Sequence, residues 1–179
     1  IDSTVSCATC HEQLHAFAGH NAAFSEGVFG QIGNRNSPSL ANAAWIPKFM
    51  WDGGINHIEV LPIAPITNPI EMHETLENVL VKLKRSTKYQ SLFKKAFGNE
   101  TITDQQMLKA LSAFMAMIVS DQSKYDKVMR GESSFSSTEQ TGFNLFNEKC
   151  SSCHSGPLFT DFDYKNNGLD QTFSDIGRG

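Results

Sequence analysis

Apolar side chains recur every three or four residues through the middle of the chain, which is the spacing of amphipathic helices. The first such run follows Asn68 and Pro69, where asparagine is a favoured N-cap and proline suits the first helical turn. We expect a helix there, with apolar positions at Met72, Leu76, Val79, Leu80 and Leu83. A second, shorter helix is predicted over 87–97, because Gly98 is a typical helix stop.

Two further helices are predicted towards the C-terminus. Thr103 and Gln106 have the spacing of a capping box, which marks the start of a helix. The apolar positions of that helix are Met107, Leu108, Leu111, Phe114, Met115, Ile118 and Val119. The last helix is expected over 139–149, after a polar loop at 131–137 that has the composition of a domain boundary.

Strand patterns are missing, since no run alternates apolar and polar residues convincingly. Residues 19–66 are rich in glycine, asparagine and proline and are expected to form ordered loops around a site. The sequence therefore predicts a mainly α fold with few or no strands, long ordered loops and domains at 1–131 and 132–179. The second domain is short and ends in a loop-like segment, so we expect its C-terminal part to be incomplete.

Composition and charge argue against several classes of protein. The chain has 179 residues, of which 40% are hydrophobic and 19% are charged, as in globular domains. Its net charge of −4 argues against nucleic acid as the main partner. The most apolar stretch, 108–119, is too short for a membrane span and contains polar residues, so no span is expected.

All four cysteines fall in two copies of one pattern, Cys-x-x-Cys-His. The residues are Cys7, Cys10 and His11 in the first copy and Cys150, Cys153 and His154 in the second. This pattern is the attachment signature of c-type haem. Two thiols add to the two vinyl groups of one haem, and the histidine that follows is placed to ligate the iron. The sequence therefore predicts two covalent haems, one in each domain.

Other uses of paired cysteines fit the sequence less well. A zinc site brings its cysteine pairs about 15–20 residues apart, whereas Cys10 and Cys150 lie far apart in the chain. A thioredoxin-like redox pair needs a βαβ context, which the pattern lacks. Two local disulfides would leave His11 and His154 unexplained. Because thioether attachment to haem takes place outside the cytoplasm, the location follows as the periplasm or an extracellular face, and we expect the periplasm.

Four sequence elements follow one another between the two haem motifs. They are GNRNSPSL at 33–40, MWDG at 50–53, PITNPIEM at 65–72 and AFG at 96–98. In this order they resemble the bacterial dihaem cytochrome c peroxidase family, which includes the MauG-type enzymes. The resemblance extends over nearly the whole chain and implies two cytochrome c-like haem domains.

The resemblance also implies roles for individual residues. The haem on His11 would be the low-potential peroxidatic haem, and the haem on His154 the high-potential haem at which electrons enter. Glu71 matches the family's catalytic acid/base, and Trp51 matches the tryptophan between the two haems. Asn36 matches a ligand of a calcium ion at the domain interface. The residues alone also allow Glu71 to be a helix N-terminal carboxylate and Trp51 a core aromatic.

The family pattern is broken at the position of a regulatory ligand. Members that require reductive activation carry a histidine that blocks the peroxidatic iron in the oxidised state, and Val28 stands at the matching position. Valine cannot ligate iron, so we expect the first iron to be open even when fully oxidised. His15 or His20 could block it only through movement of their loop. Leu61 and Gly54 also replace family residues, a glutamine and an arginine.

These features together predict a periplasmic dihaem peroxidase that reduces hydrogen peroxide to water. Electrons would come from a small donor protein, either a cytochrome c or a copper protein, enter at the second haem and be used at the first. Two alternatives stay open: a MauG-type enzyme that oxidises a protein side chain, and a non-enzymatic dihaem electron carrier. A homodimer is a candidate assembly.

Overall fold

The computed structural model describes residues 4–19, 23–166, 168–169 and 171–177. Within these ranges the α-helices are α1 (Cys7–Cys10), α2 (Ile63–Thr67), α3 (Leu76–Arg85), α4 (Thr87–Phe97), α5 (Asp104–Ala116), α6 (Lys124–Met129) and α7 (Ser137–Lys149). Short 3-10 helices lie at Gln13–His15, Val28–Gly30 and Ala43–Trp45. Extended pairing in the described residues is limited to isolated antiparallel bridges. The predicted fold class, mainly α with long ordered loops, is therefore confirmed.

The chain forms two compact units. One comprises Ile1–Val119 with Gly177–Gly179, and the other comprises Ser120–Ile176. The polar loop at 131–137, where the sequence placed a domain boundary, lies inside the second unit, together with α6. None of the described helices is long and apolar enough to cross a bilayer.

The core of the first unit lies where α3, α4 and α5 pack together. Its buried members are Phe93, Ile102, Met107 and Leu108, and Ile102 is only 1% exposed. Burial of each large apolar side chain stabilises the fold by about 1.5–3 kcal/mol. The ends of α4 and α5 follow the sequence signals: Gly98 ends α4 with a φ of 78°, and Thr103 forms a capping box with Gln106.

The helix predicted to begin after Asn68 is wrong at its start. Asn68 ends α2 as its C-cap, with the extended backbone that a following proline favours. The chain then turns, and α3 begins only at Leu76, where the Thr75 hydroxyl accepts a hydrogen bond from the N–H of Asn78. Met72 therefore lies in the connection and not on the predicted helix.

The buried carboxylate of Glu74 fixes the start of α3. Its oxygens accept hydrogen bonds from the backbone N–H of Thr75 and the side chain of Asn78, and it forms an ion pair with Lys82. The hydrogen bond from Lys82 is the largest cause that lowers the pKa of Glu74 to about 2. This network begins the helix at a place that apolar spacing alone did not indicate.

Three short helices, α1, α2 and α6, were not predicted, since each is too short to show a clear apolar period. The last helix begins at Ser137, two residues earlier than expected. Its N-cap is Ser136, which forms a capping box with Glu139.

Candidate functional site

The first cysteine motif occupies a single helical turn. α1 places Cys7 and Cys10 three residues apart, which brings both side chains to one face of the turn. The turn is closed by Thr9, whose hydroxyl accepts a hydrogen bond from the backbone N–H of Ser6 at 3.1 Å. Cys7 is exposed and Cys10 is half-buried, and neither is in a disulfide. Both thiols can therefore react with a group that lies against this face.

The histidines of the two motifs are oriented in the same way. Nδ1 of His11 lies 2.8 Å from the carbonyl oxygen of Phe17, and Nδ1 of His154 lies 3.1 Å from that of Phe159. A carbonyl oxygen only accepts, so Nδ1 carries the proton in both rings and Nε2 presents its lone pair. Ligating histidines are usually held by such a bond from their second nitrogen. Phe17 and Phe159 both have a positive φ, 56° and 55°.

The second motif borders a cavity. Cys150 caps the end of α7, and Cys150 and Cys153 are both exposed and unpaired. The cavity has a volume of about 620 Å³, within the range of small-molecule and cofactor sites. His154 contributes to its wall together with four aromatic residues, Tyr125, Phe143, Phe146 and Phe159, and the charged residues Asp126 and Arg130 also line it. The ring centroids of Tyr125 and Phe159 are 4.7 Å apart.

These groups fit a covalent haem better than a bare metal ion. Each motif supplies two unpaired thiols and one imidazole lone pair, and the second adds a cavity that four aromatic residues help to line. In the first unit, Phe17 packs edge-to-face on Phe114, with centroids 6.2 Å apart, and Phe114 is still 56% exposed. In the part of the chain that the structure describes, no three His, Cys, Asp or Glu side chains gather to hold a metal.

Glu71 lies in a turn between α2 and α3, which we call the carboxylate turn (residues 68–72). The backbone N–H of Glu71 donates to the carbonyl of Asn68 at 3.1 Å, and the side-chain amide of Asn68 donates to Oε1 of Glu71 at 2.7 Å. Glu71 is half-buried. The explanation of Glu71 as a helix N-terminal carboxylate is therefore wrong, because α3 begins only at Leu76.

A distant segment packs against the carboxylate turn. The backbone N–H of Val28 donates to the carbonyl of Glu71 at 2.8 Å, and Val28 is only 2% exposed. At Gly27 a Cβ atom would lie 2.0 Å from the carbonyl oxygen of Ile70, so only glycine allows this approach. Val28, which the family resemblance matches to a blocking histidine, is thus a buried valine against the backbone of Glu71.

The alternative histidine ligands have other surroundings. His15 is half-buried, and its Nδ1 lies 3.3 Å from a carboxylate oxygen of Glu12. His20 lies outside the described residues.

Trp51 lies at the tip of a tight turn that is closed by the bridge between Phe49 and Ile55. Its indole N–H donates to the backbone carbonyl of Asn36 at 2.7 Å, and the side chain is 59% exposed, so Trp51 is not a core aromatic. Beside it Arg35 and Asp52 form an ion pair at 2.9 Å.

The Arg35 hydrogen bond is the largest cause that lowers the pKa of Asp52, so this carboxylate stays ionised at neutral pH. Two contacts, the Arg35–Asp52 ion pair and the hydrogen bond from Trp51 to Asn36, hold the 33–40 and 50–53 elements together. The side-chain amide of Asn36, the candidate calcium ligand, lies 3.4 Å from the carbonyl oxygen of Ala23.

Three of these contacts escaped sequence reasoning: the Gly27 approach, the Arg35–Asp52 ion pair and the Asn68–Glu71 hydrogen bond. The Asn68-Pro69 pair carried a usable signal, since asparagine before proline often starts a turn. No local signal marks Gly27 or the ion pair, because their partners are distant in the chain.

Comparison with known proteins shows the family of the chain. The family model described as di-haem cytochrome c peroxidase matches residues 1–134. The chain belongs to this family, as the sequence elements predicted, and membership of a dihaem family implies two c-type haems.

The individual relatives are of both expected kinds. The chain is 33% identical to the methylamine utilization protein MauG of Methylophilus methylotrophus, over 98% of this chain and 53% of that protein. It is 30% identical to the cytochrome c peroxidase Ccp of Escherichia coli K12, over 99% of this chain and 40% of that one.

A solved structure of a MauG-like protein associated with microbial copper homeostasis superposes with a TM-score of 0.78 at 27% identity. That match covers 90% of this chain and 50% of the other. The chain thus spans about half the length of the relatives it matches.

Proposed function

We propose that this chain carries the peroxide-reducing site of a periplasmic dihaem peroxidase. One haem would be attached through Cys7 and Cys10 and ligated by His11. The other would be attached through Cys150 and Cys153 and ligated by His154. The observation that carries the proposal is the Glu71 carboxylate, which is half-buried and hydrogen-bonded in a fixed turn. It lies in the same compact unit as the first haem motif of this chain.

The haem on the first motif would supply an iron that binds peroxide and passes electrons to it. Reduction of hydrogen peroxide consumes two electrons and two protons and gives two water molecules, so protons must be delivered as the O–O bond breaks. The Glu71 carboxylate takes the proton from one peroxide oxygen and returns it to the other, which leaves as water. The N–H of His11 meanwhile holds its ring in place through the carbonyl of Phe17.

The remaining parts of the proposal concern electron supply and assembly. Electrons from a small donor protein, a cytochrome c or a copper protein, enter at the His154 haem, and Trp51 lies on their path to the first haem. Trp51 is suited to this role because a hydrogen bond to Asn36 fixes its exposed indole. Asn36 is in addition one ligand of a calcium ion, and the protein is a candidate homodimer.

The test is replacement of the carboxylate in the full-length holoprotein. Glu71→Gln keeps the size of the side chain and removes the base, so peroxide turnover should fall by about 10²–10⁴ with unchanged haem content. Glu77→Gln is the matched control, since Glu77 is an exposed carboxylate on α3 and its loss should leave turnover unchanged. Turnover of the Glu71→Gln protein equal to wild type with saturating donor would contradict the catalytic role.

The similarity to a methylamine utilization protein MauG favours a second candidate function, the oxidation of a protein side chain. The same Glu71 proton transfer would serve either reaction. The two are separated by adding peroxide with and without a reduced donor cytochrome. Rapid oxidation of the donor supports the peroxidase, whereas slow donor oxidation with new covalent changes in a co-purified protein supports the second function.

A further inference from the structure

The Glu71 carboxylate is held by a neighbour on its own turn. We propose that Asn68 is a positioning residue that fixes this carboxylate for proton transfer. The inference rests on the proposed function, because Asn68 matters to the reaction only if Glu71 transfers the proton. It is carried by the hydrogen bond of 2.7 Å from the side-chain amide of Asn68 to Oε1 of Glu71, both half-buried.

Both ends of the Asn68 amide are used. Its Oδ1 accepts a hydrogen bond from the backbone N–H of Ile70 at 3.1 Å, and its Nδ2 donates to Glu71. The two partners fix which end is which, since a backbone N–H requires an acceptor and a carboxylate requires a donor. An amide held at both ends cannot rotate, so its donor stays directed at the carboxylate.

The backbone of the carboxylate turn is also held by hydrogen bonds that do not involve the Nδ2 donor of this amide. The main-chain carbonyl of Asn68 accepts hydrogen bonds from the N–H groups of Glu71 at 3.1 Å and His73 at 2.9 Å. The N–H of Val28 binds the carbonyl of Glu71 from the other side. Loss of the Asn68 donor should therefore release the carboxylate while the turn persists.

Release of the carboxylate matters because of how glutamate transfers a proton. Its long side chain has several rotamers, and a proton transfer between two peroxide oxygens needs one of them. A hydrogen bond to a charged acceptor is about twice as strong as a neutral one, which suffices to select that rotamer. A misplacement of about 1 Å at a reacting group can lower a rate by about 10²-fold.

Two substitutions remove the donor and keep the turn. Asn68→Asp and Asn68→Ser each retain an oxygen that accepts from the N–H of Ile70. An ionised aspartate offers no donor to Glu71 and adds a second negative charge beside it, whereas the serine hydroxyl adds no charge and is too short to reach it while it serves the turn. We expect kcat/KM for peroxide to fall about 10- to 100-fold in both, with unchanged haem content and with only the small fall in melting temperature that the loss of one hydrogen bond causes.

Asn78→Ser is the matched control. Asn78 also donates a side-chain hydrogen bond to a glutamate, Glu74, at 3.1 Å, but that carboxylate serves the start of α3. Its replacement should leave kcat/KM for peroxide unchanged.

A second readout does not depend on turnover. Hydrogen cyanide gives up a proton before cyanide binds an open haem iron, so its association rate reports the same base. The rate, followed by absorbance in the ferric full-length protein, should fall in Asn68→Asp by a factor similar to the fall in kcat/KM.

A double substitution separates the possible failures. Asn68→Ser should cost nothing further in a Glu71→Gln background, because the carboxylate that it positions is gone. An equal cost in both backgrounds, or Asn68 variants that match wild type while Glu71→Gln is impaired, would overturn the positioning role alone. If Glu71→Gln itself matches wild type, the proposed function fails and the inference fails with it.

Discussion

Replacement of Gly27 by alanine should disturb the carboxylate turn from a distance. The added Cβ would lie 2.0 Å from the carbonyl oxygen of Ile70, 2.7 Å from that of Glu71 and 2.8 Å from the Cα of Glu71. All three are backbone atoms, so no side chain can move aside. A carbon and a carbonyl oxygen normally stay about 3.3 Å apart or more, so the two segments must separate by about 1.3 Å.

The cost of that separation follows from what it breaks. Overpacking in a closed site costs about 1–3 kcal/mol. Movement of the Gly27 segment also stretches the hydrogen bond from Val28 to Glu71, which contributes about 0.5–1.5 kcal/mol. The free energy of unfolding should therefore fall by about 2–4 kcal/mol. Peroxide turnover per folded haem should fall by about 10- to 100-fold, because Glu71 moves with its carbonyl.

Chemical denaturation of the full-length holoprotein measures the first effect, and donor oxidation under folded conditions measures the second. Gly142→Ala is the control, because Gly142 lies inside α7 with nothing within 4 Å of its Cβ position. That change should stabilise the protein by up to about 1 kcal/mol through helix propensity. A Gly27→Ala protein with the stability and turnover of wild type would show that the two segments are not in this close contact.

Two further results are expected from Val28 and Glu74. Because Val28 is buried and offers no ligand, the fully ferric protein should react with peroxide at once in a stopped-flow experiment, and a reaction seen only after one-electron reduction would contradict this. The folded pKa of Glu74, about 2, lies below its ordinary value of 4.5. Its ion pair with Lys82 therefore stabilises the fold above pH 4.5, and this stabilisation is lost as the pH falls towards 2. Glu74→Gln should therefore lower the free energy of unfolding by about 3 kcal/mol at pH 7, and its deficit relative to wild type should shrink as the pH falls from 4.5 to 2. A deficit that is the same at both ends of this range would exclude the ion pair as its cause.

Sequence reasoning succeeded where the signal was local. Gly98 ends α4 and Thr103 caps the start of α5, and each of these residues acts on the backbone within a few positions of itself. It failed at Asn68, because asparagine is favoured both as an N-cap and as the first residue of a turn. The start of α3 is set instead by Glu74, because its contacts with Thr75, Asn78 and Lys82 stabilise a helix that begins further along the chain.

The haem motifs and the carboxylate turn are built by different means, and this bears on the electron-carrier alternative. Each histidine is oriented within its own segment, by the carbonyl of Phe17 or Phe159 a few residues on. Both motifs could therefore persist in a protein that only carries electrons. The position of Glu71 depends in addition on Gly27, which lies in a distant segment of the chain. Glycine is needed there because the segment approaches the backbone of the carboxylate turn so closely.

A carrier with this fold would also need glycine at Gly27, because the close backbone approach does not depend on the reaction. It has no use, however, for a carboxylate that a side-chain amide holds in place, and serine at Asn68 would cost it nothing in electron transfer. The two classes of protein should therefore differ at Asn68 and Glu71 and not in Cys-x-x-Cys-His. Because this chain keeps the asparagine and the glutamate in hydrogen-bond contact, the enzyme hypothesis explains a pair of residues that the carrier hypothesis leaves without a purpose.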